Sequence, residues 1–314
     1  MRPSRRDFLK LAPGLASLAL LSGRAYAAPA ATGRGRISLG HSLYGMQTLP
    51  LAEAVAHCAR IGFRNVELVL DNGFPCAPAQ FSPAARAELR RQLAGLGLGV
   101  SALMRNIKLI GGQSPAENSE AIKEAAGVAH DLSTSGALPP LETTLGGKPE
   151  EWETLRNQMV ERLAGWAATA EAAGIGLVVK AHMNNAVDTP EKLLWLLEQV
   201  PSPALAATYD YSHYEVHGIP LDSSWTTLAA HTRFVHVKDS RTEAGKSVFL
   251  LPGEGRVDYP RLFRLMNESG YNGAVVAEVS SMIFRQPGYD PVATAQKCHD
   301  FLSRALTEAG VPHA

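Results

Sequence analysis

Short apolar segments and amphipathic segments with helical periodicity alternate along nearly the whole chain. The first pair is typical: RISLGHSLYG (36–45) has the apolar character of a buried strand, whereas LAEAVAHCARIG (51–62) has helical spacing and ends at a glycine. Seven further pairs follow, with strands predicted in 65–70, 99–104, 137–147, 175–182, 204–210, 233–239 and 273–280, and helices in 83–97, 116–133, 149–174, 189–200, 221–231, 257–270 and 290–310. A helix after every strand indicates a parallel sheet covered by helices.

Eight strand–helix pairs within residues 36–310 match the size and the repeat of a (β/α)8 barrel, or TIM barrel. We therefore predict a single α/β domain of this fold over 36–310. A doubly wound sheet is the alternative, but that fold normally has a glycine-rich phosphate-binding turn after its first strand. The first predicted strand is not followed by such a turn.

The first 27 residues have the pattern of an export signal rather than of a folded element. SRRDFLK (4–10) places paired arginines before the apolar run LAPGLASLALL (11–21), and AYA (25–27) offers a small-x-small cleavage site. This order predicts a twin-arginine signal peptide over 1–27 and a periplasmic or secreted protein. Because a membrane-spanning helix needs about 20 apolar residues, the run is too short for stable membrane insertion.

The charge balance and the cysteine content narrow the class of partner. The 30 Lys and Arg residues equal the 30 Asp and Glu residues in number, so the chain lacks the basic excess of a nucleic-acid-binding protein. Three sparse cysteines do not make a disulfide framework, although a pairing of Cys76 with another cysteine stays open. These features favour a small-molecule substrate, and they are compatible with a homo-oligomer.

Titratable side chains collect near the predicted strand ends, where TIM barrels have their active sites. A single strand-end Asp or His is more often a turn cap or a core residue, but here they recur on several strands. Carboxylate and imidazole donors without a cysteine suit one divalent ion such as Mn²⁺, Zn²⁺ or Mg²⁺. The residues are His41, Tyr44, Glu67, Lys180, His182, Asp210, His213, His236, Lys238 and Glu278.

Four motifs give the chain a resemblance to the xylose isomerase-like TIM barrel superfamily, in particular its sugar phosphate isomerase/epimerase group. They are YDYSH (209–213), FVHVKD (234–239), LPGEGRVDY (251–259) and GYNGAVVAEVS (270–280). The resemblance implies that Asp210, His236 and Glu278 bind a metal ion and that His213 lies near the substrate or the metal. The residues predicted to bind substrate at the mouth are His41, Tyr44, Glu67, Asn184, Lys238 and Arg285.

The chain departs from the family pattern at the end of its fifth strand. The resemblance implies a metal-binding Glu there, and this sequence has Lys180. A protonated ammonium cannot bind a metal, so either His182 supplies the missing ligand or the ion has three protein ligands plus water and substrate. Lys180 itself is predicted to be catalytic, either as an acid or base with a pKa lowered by the ion or as a charged hydrogen-bond donor. A purely charge-balancing lysine is the alternative.

These observations predict an exported, metal-dependent enzyme that removes a proton next to the carbonyl of a sugar or keto-sugar. The ion would polarise the carbonyl, and Lys180, Glu278 and His213 would carry the proton transfers. Reprotonation of the intermediate gives isomerisation or epimerisation, whereas loss of a β-substituent gives lyase or hydratase chemistry. A non-catalytic sugar-binding barrel and a phosphodiesterase of the endonuclease IV type are the alternatives.

Overall fold

The computed structural model describes residues 36–133, 137–243 and 245–312. The predicted signal peptide over 1–27 lies outside the described residues and stays a prediction. Within them the strands are β1 (Ile37–Ser42), β2 (Asn65–Val69), β3 (Gly99–Met104), β4 (Leu141–Thr144), β5 (Leu177–Lys180), β6 (Leu205–Asp210), β7 (Thr232–Val237), β8 (Asp239–Glu243), β9 (Lys246–Leu250) and β10 (Gly273–Ala277).

An α-helix follows each barrel strand, as predicted, and two further four-residue helices, which were not predicted, come after the sixth and eighth barrel strands. The α-helices are α1 (Leu51–Ile61), α2 (Pro83–Leu96), α3 (Pro115–Leu132), α4 (Trp152–Ala173), α5 (Pro190–Gln199), α6 (Ser212–Glu215), α7 (Leu221–Leu228), α8 (Tyr259–Glu268), α9 (Ser281–Phe284) and α10 (Pro291–Ala309). Side-chain caps set several starts: Ser114 and Glu117 form a capping box at the start of α3. The end of α1 is set by Gly62, whose φ of 115° suits glycine and whose N–H returns to the carbonyl of Cys58.

Eight parallel strands close into a barrel in the order β1-β10-β7-β6-β5-β4-β3-β2, which confirms the predicted TIM barrel. The antiparallel hairpin β8–β9 follows β7 and was not predicted. It lies between the seventh barrel strand and α8, in a stretch for which neither a strand nor a helix was predicted. The hairpin begins at Asp239, at the carboxyl end of the barrel, so it belongs to the face where the active site of this fold lies.

The buried apolar side chains of the described residues form three clusters, and one of them lies beneath the polar site. The largest lies between strands and helices, a second consists of Val69, Phe74 and Met104, and the third consists of Ala102, Val178, Phe234 and Val276. Because side chains alternate along a strand, Val178 shares a face with Lys180 and Phe234 shares a face with His236. These apolar residues therefore form a floor beneath the charged ends of β5 and β7.

Two further properties of the described part of the chain bear on earlier expectations. All three cysteines are buried and free, which leaves the open pairing of Cys76 without support. Among the helices of 36–133, 137–243 and 245–312, none combines the length and the apolar character that a bilayer crossing requires.

Candidate active site

A cavity of about 240 Å³ opens at the carboxyl ends of the barrel strands. This volume lies below the usual 300–1,000 Å³ of drug-sized ligand sites and suits a small ligand. Three of the lining side chains, Met104, Phe249 and Met282, are apolar, whereas most of the others are charged or polar. The lining residues are Tyr44, Met104, Asn106, Glu142, Thr144, Lys180, His182, Asn184, His213, Lys238, Phe249, Glu278, Ser280, Ser281 and Met282.

The ammonium group of Lys180 lies at the centre of the charged side. Its Nζ donates to Nδ1 of His236 at 3.0 Å and to Oε2 of Glu278 at 3.2 Å. It also forms ion pairs with Oε1 of Glu142 at 3.4 Å and with Oδ2 of Asp210 at 3.7 Å. With its side chain only 4% exposed, this charge depends on protein partners rather than on water.

A second ammonium group reaches the same carboxylates. Nζ of Lys238 contacts Oδ2 of Asp210 and donates to Oε2 of Glu278 at 2.7 Å. Lys238 follows directly after β7, and Glu278 follows directly after β10, which pairs with β7 in the barrel. Lys180 and Lys238 thus each contact both carboxylates, that of Asp210 and that of Glu278.

The ring of His236 is fixed at both nitrogens. Burial and Lys180 favour the neutral ring, whereas Glu67 and Glu278 raise the pKa of His236 to about 9. A protonated ring donates at both nitrogens, so the 3.0 Å contact of Nδ1 with the ammonium of Lys180 requires the neutral tautomer, with its proton on Nε2. Nε2 lies 3.0 Å from Oε2 of Glu67, which is completely buried. Glu67 therefore orients His236 from the opposite side of the ring.

Asp210, His236 and Glu278 form a cluster of donors that could hold a metal ion, as predicted. One donor atom from each lies within 4.8 Å of the others. The oxygen and nitrogen donors of these residues, and the distances between them, suit a divalent ion. Nζ of Lys180, however, lies 3.0–3.7 Å from a donor atom of each of the three residues: Nδ1 of His236, Oε2 of Glu278 and Oδ2 of Asp210. An ion bonded to all three would compete with Nζ for one space, so the residues as placed do not fit an additional ion.

The charges of the site support one another. Burial opposes a charge on Lys180, but Glu142, Glu278 and Asp210 outweigh it and place the pKa of Lys180 well above its ordinary value. The pKa of Glu278 lies well below its ordinary value, because Lys180 and Lys238 overcome the effect of burial. Lys180 is therefore a charged donor in this arrangement, in contrast to the lowered pKa expected beside a divalent ion.

Glu142 differs from Glu278 although both line the cavity. Burial raises the pKa of Glu142, and the ammonium of Lys180 offsets this only in part. Burial thus shifts Glu142 towards the neutral form relative to an exposed glutamate, whereas the two lysines favour the carboxylate of Glu278. Two carboxyl groups with pKa values pushed apart on one cavity are suited to act as an acid and a base.

His182 and His213 form a pair beside this cluster. Their ring centroids are 4.1 Å apart, and Nε2 of His213 lies 3.4 Å from Oδ2 of Asp210. Burial lowers the pKa of His182 to about 2 and that of His213 to about 4, so both rings are neutral. Nδ1 of His182 accepts the N–H of Asn184 at 3.3 Å. His182 thus reaches the cavity, but it does not belong to the three-residue donor cluster.

The other predicted substrate-binding residues divide into two groups. Tyr44, Asn184 and Lys238 line the cavity formed by the described residues, whereas His41, Glu67 and Arg285 do not. His41 is completely buried and packs on the ring of Phe63 at 5.2 Å. Arg285 is exposed, and its guanidinium carbon lies 5.9 Å from the centroid of Phe284.

Of the cavity residues that were not predicted from the sequence, Glu142 and Phe249 make the contacts that matter most for the charged cluster. Glu142 is a charged residue inside an otherwise apolar predicted strand, the same signal that singled out Glu67. Phe249 belongs to β9 of the unpredicted hairpin, and its ring lies 5.1 Å both from the ring of His213 and from Nζ of Lys238. The β-branched and aromatic residues in KSVFL were a usable signal for that strand.

Comparison with known proteins identifies the family to which this barrel belongs. A family model described as Xylose isomerase-like TIM barrel matches residues 55–304. The chain belongs to this family. Among curated relatives of this family member, fructoselysine 3-epimerase of Escherichia coli O157:H7 is 23% identical over 257 residues, which cover 77% of the chain and 90% of the epimerase. An inosose dehydratase of Clostridium perfringens is 26% identical over 144 residues, which cover 41% of the chain and 47% of the dehydratase.

Solved structures support the same fold. A xylose isomerase domain protein of Alicyclobacillus acidocaldarius superposes with a TM-score of 0.71 at 19% identity, covering 87% of this chain and 99% of that one. A xylose isomerase-like TIM barrel protein of Mycobacterium smegmatis, in complex with magnesium, superposes with a TM-score of 0.65 at 18% identity, covering 87% and 97%. At these identities the likeness concerns the fold alone.

Proposed function

We propose that this protein catalyses proton transfer at the carbon next to the carbonyl of a sugar or keto-sugar. The observation that carries the proposal is the pairing of Glu142 and Glu278 across Lys180, at 3.4 and 3.2 Å, on one small cavity. Named relatives that are an epimerase and a dehydratase support a sugar-like substrate and isomerase or lyase chemistry. Phosphodiesterase activity has no comparable support.

Each group has a role that follows from its surroundings. Glu278, 11% exposed and held charged by two ammonium groups, takes the proton. Lys180 and Lys238 donate hydrogen bonds to the carbonyl oxygen and stabilise the negative charge that develops on it. Glu142, whose pKa is raised by burial, returns a proton to the intermediate or to a leaving group. Return to carbon gives an epimer or isomer, and protonation of a leaving hydroxyl gives elimination.

The cation at the carbonyl has two candidates. A divalent ion among Asp210, His236 and Glu278 is supported by their donor atoms and by the magnesium complex of a relative of the same fold. The Lys180 ammonium is supported by its contacts with the same three donors. Either cation would supply positive charge at the carbonyl, but the donor role given to Lys180 above applies only to the second candidate, in which no ion takes its place.

Solvent deuterium exchange tests this proposal directly. The protein is incubated in D₂O with a panel of ketoses, inososes and 3-keto-glycosides, and exchange at the α-carbon is followed by NMR. We expect exchange with at least one compound, lowered about 10²–10⁴-fold by Glu278→Gln or Glu142→Gln. Glu153→Gln, which changes an exposed helical residue, is the matched control. Ligand binding by calorimetry without any exchange would instead support the non-catalytic sugar-binding barrel.

Export by the twin-arginine route stays a separate proposal. It rests on the order of paired arginines, apolar run and small-x-small site in residues 4–27. Mass spectrometry of the periplasmic protein should give a chain that begins after Ala27. A full-length chain in the cytoplasmic fraction, with Met1 retained, would contradict export.

A further inference from the structure

We propose that the ammonium group of Lys180 takes the place of the divalent cation in this barrel, so that the wild-type site works with a built-in cation and binds no divalent metal. The inference rests on the proposed function for the chemistry that the cation serves, but its test measures metal binding alone.

The first argument is positional. Asp210, His236 and Glu278 each offer one donor atom to a possible ion. Nζ of Lys180 lies 3.0 Å from Nδ1 of His236, 3.2 Å from Oε2 of Glu278 and 3.7 Å from Oδ2 of Asp210, so it lies among donor atoms of all three residues. An ion would need to lie at about 2.0–2.6 Å from the same atoms. The two cations therefore exclude each other.

The second argument concerns what would happen to the displaced lysine. Its side chain is 4% exposed, and its remaining partner outside the donor cluster is Oε1 of Glu142 at 3.4 Å. An ammonium pushed out of the cluster would stay buried beside an ion of double charge, with Lys238 as a third positive group on the same carboxylates. Like charges at a few ångströms in a poorly hydrated site repel strongly, and this opposes metal binding.

The third argument is that the lysine can do the work assigned to the cation. Two of the three N–H groups of Lys180 are directed at His236 and Glu278, and the third can contact the carbonyl oxygen of a substrate, because Lys180 lines the cavity. His236 and Glu278 hold the ammonium in place through hydrogen bonds of 3.0 and 3.2 Å. A preorganised donor of this kind stabilises the negative charge of an enediolate without reorganisation at the moment of reaction.

Metal titration of wild type and lysine variants tests the inference. Each protein is treated with EDTA, desalted, analysed by plasma mass spectrometry and titrated with Mn²⁺ under calorimetric and electron paramagnetic resonance detection. We expect substoichiometric metal and no saturable Mn²⁺ site in wild type. Lys180→Ala frees the three donors and should bind one Mn²⁺ per chain at least about tenfold more tightly than wild type does. Lys180→Met serves as a second variant in case the alanine variant folds poorly, and circular dichroism verifies folding.

Lys192→Ala is the matched control, because it removes an ammonium whose partner is Asp188 at 2.6 Å, outside the cluster. This control should bind Mn²⁺ no better than wild type. A stoichiometric metal that survives EDTA treatment of wild type, or Lys180 variants that fold without gaining Mn²⁺ affinity, would overturn the inference. If the variants bind Mn²⁺ as expected but wild type catalyses no deuterium exchange, only the proposed reaction is overturned.

Discussion

Oε2 of Glu67 lies 3.0 Å from Nε2 of His236, although the two residues are 169 positions apart in the chain. Glu67 is on β2 and His236 on β7, and both are completely buried. The contact holds the imidazole with its other nitrogen directed at Lys180 and Glu278. Glu67 therefore acts on the site through His236 rather than by touching the cavity contents.

We expect Glu67→Gln to lower kcat by roughly 10–100-fold with a smaller change in KM, as found when partners that orient a site histidine are removed. The amide can donate to Nε2, and this would move the ring proton to Nδ1, facing Lys180. The ¹⁵N chemical shifts of His236 should report that tautomer change. An unchanged tautomer with full turnover would remove the positioning role of Glu67.

Phe249 should control access and binding rather than chemistry. Its ring is buried in the cavity wall against His213 and the ammonium of Lys238, each at 5.1 Å. Phe249→Ala removes apolar contact area, so KM should rise about tenfold with a smaller effect on kcat. Val248→Ala, on the opposite face of β9, is the control and should leave both constants close to wild type. Equal effects of both substitutions would indicate a general loss of hairpin structure.

Stability should fall in mild acid because of His41. Both ring nitrogens lack a hydrogen-bond partner among the described residues, and burial lowers the pKa of His41 from 6.5 to about 4. Between these two pH values, His41 binds a proton in the unfolded chain but not in the folded chain. The free energy of unfolding therefore has its full value above pH 6.5 and declines as the pH falls towards 4. His41 accounts for up to about 3 kcal/mol of this decline.

We expect His41→Met to differ from wild type by less than about 1.5 kcal/mol at pH 7.5, because the two side chains have similar volume. The variant should be relatively more stable at pH 5, and its activity should be retained because His41 does not line the cavity. Urea unfolding at both pH values measures the difference, and contributions of His182 and His213 cancel in it. Loss of activity without loss of stability would restore the predicted substrate contact of His41.

The three cysteines should be inert thiols in the folded protein. Burial raises the pKa of Cys58, Cys76 and Cys298 to about 12 each, so the reactive thiolate is scarce at neutral pH. An Ellman assay should find less than about one reactive thiol per chain before denaturation and three afterwards. A fast native reaction would contradict this burial, and fewer than three thiols in denaturant without reductant would indicate a disulfide.

The sequence by itself determined the barrel and the main donors of the site. Strand and helix periodicities are local, so eight repeats could be located without any tertiary contact, and the fold that they predict places every strand end on one face. Asp210 ends β6, Lys180 ends β5, and Glu278 follows β10, and each was identified from its position alone. The family motifs added the expectation of sugar chemistry.

Only the tertiary structure decided how these groups face one another. Closure of the barrel brings Glu67 to His236, puts Glu142 beside Lys180 and turns His41 into the core, and none of these contacts follows from spacing along the chain. The side chain of Lys180 is long and has several rotatable bonds, so the strand alone does not fix the position of Nζ. Nζ lies where contacts with buried carboxylates and an imidazole outweigh the cost of its desolvation. Periodicity fixes where a strand ends, whereas the balance of charge and burial around that end is a property of all the strands together.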